Sequence, residues 1–325
     1  MRTGEFMTKK EECAENFKRF RCKGWEDFIE TLASGDLSVL DTIHANHEQI
    51  YAKQDYEGYI TQARASYVMM QDVRILKLLL EETTEKLKEH TGKDFDPDAM
   101  KREVNAKDGM RLFDKLGKIQ AEAYGDGPPL INGKSFEECL EQYQALIGYV
   151  EELWDRACDE FLGGNFPLAT FFSILAIEEI GKLGRLWHDL MAWDRPLEET
   201  KTNLGILGKS HHKKHFLGVV PGSIINARLD RVIGKKMVKA ILEDVESGKI
   251  EKLRQSCLYI DFKDGRSHLP SEQVDEATAR VFVTLSGELW MQILGHFPWD
   301  FDRMFEKVKK AELALGLPEQ LVKPY

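Results

Sequence analysis

Two adjacent carboxylates and a lysine one helical turn on stand at Glu178, Glu179 and Lys182. Directly before them, Phe166 to Ile177 is apolar almost all the way round a helix. A helix apolar on every side is buried on every side. Charge that leaves a core without a break is costly unless it is paired or used. Carboxylate and lysine pKa values shift in such places, which suits them to acid–base work. Glu178 and Lys182 are four apart and share a face, which Arg185 and Asp189 extend. The plainer reading is a row of surface ion pairs contributing about 0.3–0.5 kcal/mol each.

A second group of reactive side chains follows in His211-His212-Lys213-Lys214-His215. An imidazole titrates near neutrality, so a histidine among lysines can move a proton beside a phosphate. His211 and Lys214 are three apart and can share a helical face. His211 and His215 have the spacing of two helical metal ligands, for which Glu178 or Glu179 would be a third. The cluster reads equally well as an exposed basic turn. Lys201 to Arg254 holds 12 Lys/Arg against 5 Asp/Glu, in a chain whose formal net charge is −10. Lys209, Lys213, Arg228 and Arg231 within it, with Arg185 before it, are candidate contacts for RNA phosphates. A solvated helix face of mixed charge would give the same count.

Other chemistries find no support. The sequence has no G-x-S-x-G, no phosphate-binding G-x-x-x-x-G-K-S/T and no G-x-G-x-x-G. The five cysteines are scattered with no C-x-x-C pair, so no zinc cluster or disulfide framework is suggested, and no cofactor is expected. Scattered cysteines, no membrane-length apolar run and no signal-peptide pattern together suggest a cytoplasmic protein without a membrane partner. Met7 reads as the natural start, after six residues left by cloning.

Apolar spacing at three and four residues, with few strand signals, predicts an all-α chain. Thr8-Lys-Lys-Glu11 has capping-box spacing and opens the first helix. Further helices are expected over Leu37–Lys53, Asp55–His90 and from Pro97 to about Tyr124. Gly125 to Gly133, rich in Gly and Pro, reads as a linker between an N-terminal helical domain, 7–124, and a second domain, 134–325. Ser135-Phe-Glu-Glu138 is another capping box and opens a long helix that Gly163-Gly164 ends. The Asn165–Trp193 helix should pack against it as an antiparallel hairpin. Pro221-Gly222 is expected to break the chain. Ser223–Glu246, Pro270–Leu294 and Pro298–Gly316 read as helices, and Cys257–Phe262 is the one weak strand candidate.

Ala169 to Lys182, ATFFSILAIEEIGK, resembles the signature helix of AbiV-type abortive infection proteins, a helical branch of the HEPN group. A His-x-x-Lys element at His211 and Lys214 fits the same pattern. So does a later run of Arg254, Cys257, Leu258, Tyr259 and Asp261, then Pro270. The resemblance covers about Lys134 to Glu276 and implies a HEPN-like helical bundle, with residues 7–124 an N-terminal extension of unknown role. It also implies an intracellular bacterial anti-phage protein that halts growth or translation, with RNA or a ribosome-associated target as its partner. A homodimer and a phage-encoded activator are further expectations from the family. The usual HEPN signature, Arg, then four to six intervening residues, then His, does not occur at any histidine here.

If the protein cleaves RNA without metal, the catalytic set is then Glu178, Glu179, Lys182, His211 and Lys214. His211 would move the proton, a glutamate would orient it or accept the 2′-hydroxyl proton, and the lysines would hold the phosphate. The alternatives are a non-catalytic helical binder that blocks translation or senses a phage protein, and a metal enzyme using His211, His215 and Glu179.

Overall fold

A computed structural model describes residues 48–69, 111–112, 115–119, 135–191, 210–225, 227–291 and 297–322. The helices expected between residues 8 and 47, the later part of Asp55–His90 and the 125–133 linker lie outside the described residues, as does Lys209. The chain divides into two compact units, Met1–Gly109 with Leu190–Leu197 and Met110–Asp189 with Glu198–Tyr325. In the first, residues 48–53 are helical and α1 spans Tyr56–Met69. Asp55 Oδ1 accepts the Gly58 N–H at the start of α1, and Ile60 is its buried contact.

Among its described residues the second unit is helical with one short hairpin, so the all-α expectation holds. Its first long helix, α2 (Phe136–Leu162), starts with the capping box read from the sequence. Glu138 N–H donates to Ser135 Oγ, and Ser135 N–H donates to Glu138 Oε2. Gly163-Gly164 ends it, with Gly164 at φ +77°, and α3 (Phe166–Met191) follows. Then come α4 (His211–Ile225), the single turn α5 (Ala227–Leu229), a π-helical turn at Asp230–Gly234, α6 (Lys235–Ser247) and α7 (Lys249–Ser256). Strands β1 (Asp261–Lys263) and β2 (Arg266–His268) pair antiparallel, Phe262 opposite Ser267. The last elements are α8 (Pro270–Gln273), α9 (Glu276–Met291), a 3-10 turn at Pro298–Asp300 and α10 (Phe301–Ala314).

Three expectations change. Helix α4 runs straight through Pro221. The surrounding residues Val219 and Val220 are completely buried, and that packing outweighs the one backbone hydrogen bond a proline removes. The break comes later, at the π turn, which ends on Gly234 at φ +93°. The expected Pro270–Leu294 helix is two, because Asp275 caps a fresh start by accepting the Thr278 N–H at 2.8 Å. The weak strand signal at Cys257–Phe262 is realised only in its last two residues, as the first arm of the hairpin.

The core between α2 and α9 is built on Trp154 and Trp290, whose rings stack 5.6 Å apart. Trp154 satisfies its indole N–H on the Val283 carbonyl at 3.0 Å. A second buried feature is ionic. Arg228, on α5, donates from Nε to Glu288 of α9 at 2.6 Å and from its terminal nitrogen to Glu312 of α10, and lies over the Phe305 ring. All three side chains are buried. Burial and the neighbouring Glu288 charge push the Glu312 carboxyl up to about 9, so a proton rides on this cluster at neutral pH. An acid whose folded pKa exceeds its unfolded value of 4.5 holds a proton that the unfolded chain has lost. Its contribution to stability is therefore full below about pH 4.5 and declines as pH rises toward 9. Glu312→Gln, which copies the neutral acid, is expected to raise the melting temperature at pH 8 more than at pH 5. Equal shifts at both pH values would show that Glu312 is ionised in the native state.

Candidate active site

Glu178 turns inward from α3 and is 3% exposed. Ser210 opens α4 by accepting the Lys213 N–H on its hydroxyl, so the histidine cluster forms the first turns of a helix. His211 and His215, four apart, then share one face, and that face meets Glu178. His211 Nδ1 lies 2.9 Å from both carboxylate oxygens, and His215 Nε2 lies 3.0 Å from Oε1. A carboxylate in this position only accepts, so both of those ring nitrogens carry hydrogen. From α7, Arg254 brings Nε to 3.5 Å of Glu178 Oε1 and grips Glu251 with two hydrogen bonds of 2.8 and 2.7 Å. Lys214 Nζ stands 3.8 Å from Glu178 Oε2.

Two glycines make this meeting possible. A Cβ on Gly181 would stand 2.4 Å from the Lys214 carbonyl oxygen, and one on Gly218 would stand 2.2 Å from the Ile177 carbonyl oxygen. Helices α3 and α4 thus touch backbone to backbone, three residues past Glu178 on one and three past His215 on the other. Gly181→Val is expected to force the helices apart and cost about 1–3 kcal/mol. Gly148→Ala, in open space on α2, should instead gain about 0.5–1 kcal/mol through helix propensity. Urea melts of both variants check the pair. A Gly181→Val protein as stable as the parent would show that the crossing can relax.

Burial alone would push the Glu178 carboxyl up. The hydrogen bonds and charges of His215 and His211 outweigh it and hold that carboxyl below the ordinary glutamate range. The Glu251 carboxyl is likewise held low, its burial outweighed chiefly by Arg254. What results is an ionised carboxylate, nearly dry, surrounded by four groups able to carry positive charge. The side chain of His211 is 42% exposed, and its Nε2 makes no hydrogen bond among the described residues. In the neutral ring that nitrogen is a basic lone pair directed away from the carboxylate.

Of the catalytic residues named from sequence, Glu178, His211 and Lys214 converge. Glu179 and Lys182 form their own pair at 2.6 and 2.7 Å, on the half-buried face beside the site. The expected Glu178–Lys182 pairing gives way because Glu178 is drawn to α4. Lys214, with its side chain 7% exposed, balances the Glu178 charge rather than presenting an ammonium to solvent. Among the phosphate candidates, Lys213 is half-buried on α4 and Arg231 is exposed on the π turn. Arg185 lies on α3, and its side chain is outside the described residues. Arg228 is a correction: it is fully buried on Glu288 and Glu312 and presents nothing to a phosphate.

His215, Glu251 and Arg254 complete the cluster and were not in the catalytic set. Their signals were the histidine pair four apart and a Glu-x-x-Arg run just ahead of Cys257-Leu-Tyr. Glu178, His211 and Glu251 offer ligand atoms within 4.8 Å of one another. Arg254 already bridges the two carboxylates, so a divalent ion there would have to displace a guanidinium or lie against it. The trio of His211, His215 and Glu179 is not assembled, since Glu179 is turned to Lys182.

Among the described residues no helix is long and apolar enough to cross a membrane. Neither a curated protein nor a solved structure gives a significant match to the chain. Residues 138–291, which contain every member of the Glu178 cluster, match the family model for the AbiV type of HEPN domain, so this part of the chain is an AbiV-type HEPN-like domain.

Proposed function

We propose that this chain is an abortive-infection protein that arrests growth by cleaving RNA, with His211 as the proton-transfer group and Glu178 as the residue that orients and charges it. The observation that carries the reading is the buried carboxylate bonded to His211 Nδ1 at 2.9 Å, which fixes the ring and leaves Nε2 on its exposed side. In this scheme Nε2 takes the proton from a ribose 2′-hydroxyl as the 2′ oxygen attacks the adjacent phosphorus. The P–O5′ bond breaks, and the departing oxygen recovers a proton from water. The products are a 2′,3′-cyclic phosphate and a 5′-hydroxyl. Arg254, held by Glu251, is the cation placed to meet charge building on the phosphate, and Lys182 offers a more distant contact. The dry surroundings of Glu178 strengthen each of these interactions relative to water.

The test is the state of RNA in cells that express the protein. Fragments with defined ends bearing 2′,3′-cyclic phosphates are the expected result. Growth arrest with intact RNA would replace this reading with that of a protein that blocks translation by binding alone.

A further inference from the structure

The chain leaving the site exposes a run of large apolar side chains. Arg254 faces Glu178, Cys257 is buried as an anchor, and the residues beyond it turn outward. Tyr259 is 65%, Ile260 50% and Phe262 77% exposed. A contiguous apolar exposure of this kind on a folded surface marks a place of contact. The backbone that carries the two rings is anchored. Tyr259 N–H donates to the Gln255 carbonyl at the end of α7. Phe262 N–H donates to Asp261 Oδ1, and Phe262 sits in a hairpin closed by Asp264-Gly265, both at positive φ, the turn that matches strand twist. A backbone already ordered need not be ordered again when something packs on its side chains.

Position and charge narrow what that something is. Tyr259 follows Arg254 by five residues and bonds to the last turn of the same helix, so the exposed run starts at the end of the element that brings Arg254 to Glu178. Lys252 and Arg266, before and after the two rings in sequence, are exposed cations in a chain of net charge −10. Exposed aromatic faces flanked by cations, on the chain leaving Arg254, are the kind of arrangement that binds unpaired nucleotides, bases stacking on rings while the backbone tracks the positive charges. We infer that Tyr259 and Phe262 form a stacking platform for unpaired bases of a single-stranded RNA whose phosphate lies against Arg254 and His211. This inference rests on the RNA reading of the site and narrows its substrate to unpaired segments, since paired bases have no face to offer.

The experiment uses the full chain carrying His211→Ala, so that RNA is bound without being consumed, and a fluorescein-labelled 12-nucleotide RNA of mixed sequence. Adding Tyr259→Leu and Phe262→Leu keeps apolar surface but removes the rings. Because both side chains are exposed, circular dichroism should stay unchanged. Binding of the single strand is expected to weaken roughly tenfold or more, while the weaker binding of a duplex of the same sequence stays as it was. Equal binding by ring-bearing and leucine proteins would overturn the platform and leave the RNA reading standing. Leucine substitutions that leave RNA binding normal but, placed in the chain with His211 intact, abolish growth arrest would overturn it in favour of a protein partner on the hairpin. A parent that binds no single strand, in cells whose RNA remains intact, would remove both the platform and the reading beneath it.

Discussion

Removal of the His211 imidazole is expected to lower RNA cleavage by about 10²–10⁴-fold, the usual contribution of a positioned proton-transfer group. His211 is part-exposed and makes its bond outward from α4 onto Glu178, so His211→Ala should fold. Glu178→Gln tests the other half of the pair. The amide keeps the shape but carries no charge, and because His211 Nδ1 lies 2.9 Å from both carboxylate oxygens, either orientation sets the amide NH2 against the imidazole N–H, donor against donor. The fixed direction of His211 Nε2 goes with it. Cleavage by this variant is expected to fall to a similar extent. The folded carboxyl is held below its ordinary value of 4.5. A depressed carboxyl contributes stability that is present above the unfolded pKa and lost as pH falls through the folded one. The difference in stability between parent and Glu178→Gln should therefore be fully present at pH 7 and shrink as the medium is acidified below 4.5. Cleavage ends produced at the same rate by His211→Ala and the parent would take this imidazole out of the chemistry.

Arg228→Ala is expected to have the largest effect on stability, a loss of about 3–5 kcal/mol, because it leaves the buried Glu288 carboxylate without its cation. Against a typical total of about 5–15 kcal/mol, that is a large share of what holds the fold. The guanidinium also covers the Phe305 ring, so Arg228→Met, which keeps some of that packing, should lose less. Urea unfolding of the two variants measures both terms. A loss below about 1 kcal/mol for Arg228→Ala would mean that Glu288, like Glu312, can take up a proton and stay buried.

Arg228 also marks where sequence reading stops. It lies in a segment with a clear excess of positive charge, and counting charge placed it on a surface that phosphates could reach. Its two partners are 60 and 84 residues further on, and no local pattern links them. Glu178 was legible because a fully apolar run ended on it, and His211 because imidazoles four apart must share a helical face. Their meeting was a fair expectation, but its geometry depends on the backbone contact at Gly181 and Gly218, which spacing alone does not specify. Arg254, named only in the run that carries the family resemblance, was not read as a site residue for the opposite reason. A Glu-x-x-Arg pair on a short polar helix looks like ordinary solvated charge, and only tertiary packing brings it beside a buried carboxylate. Pro221 misled because a proline's local effect is strong, yet here the buried residues on both sides hold the helix together.

The side chains around Glu178 come from positions 33 to 76 residues later in the chain. During synthesis the carboxylate emerges first, then the imidazoles, and the guanidinium last. A nascent chain halted anywhere before α7 therefore holds an incomplete set, and the Glu178 carboxylate meets its full complement of cations only once α7 has been made.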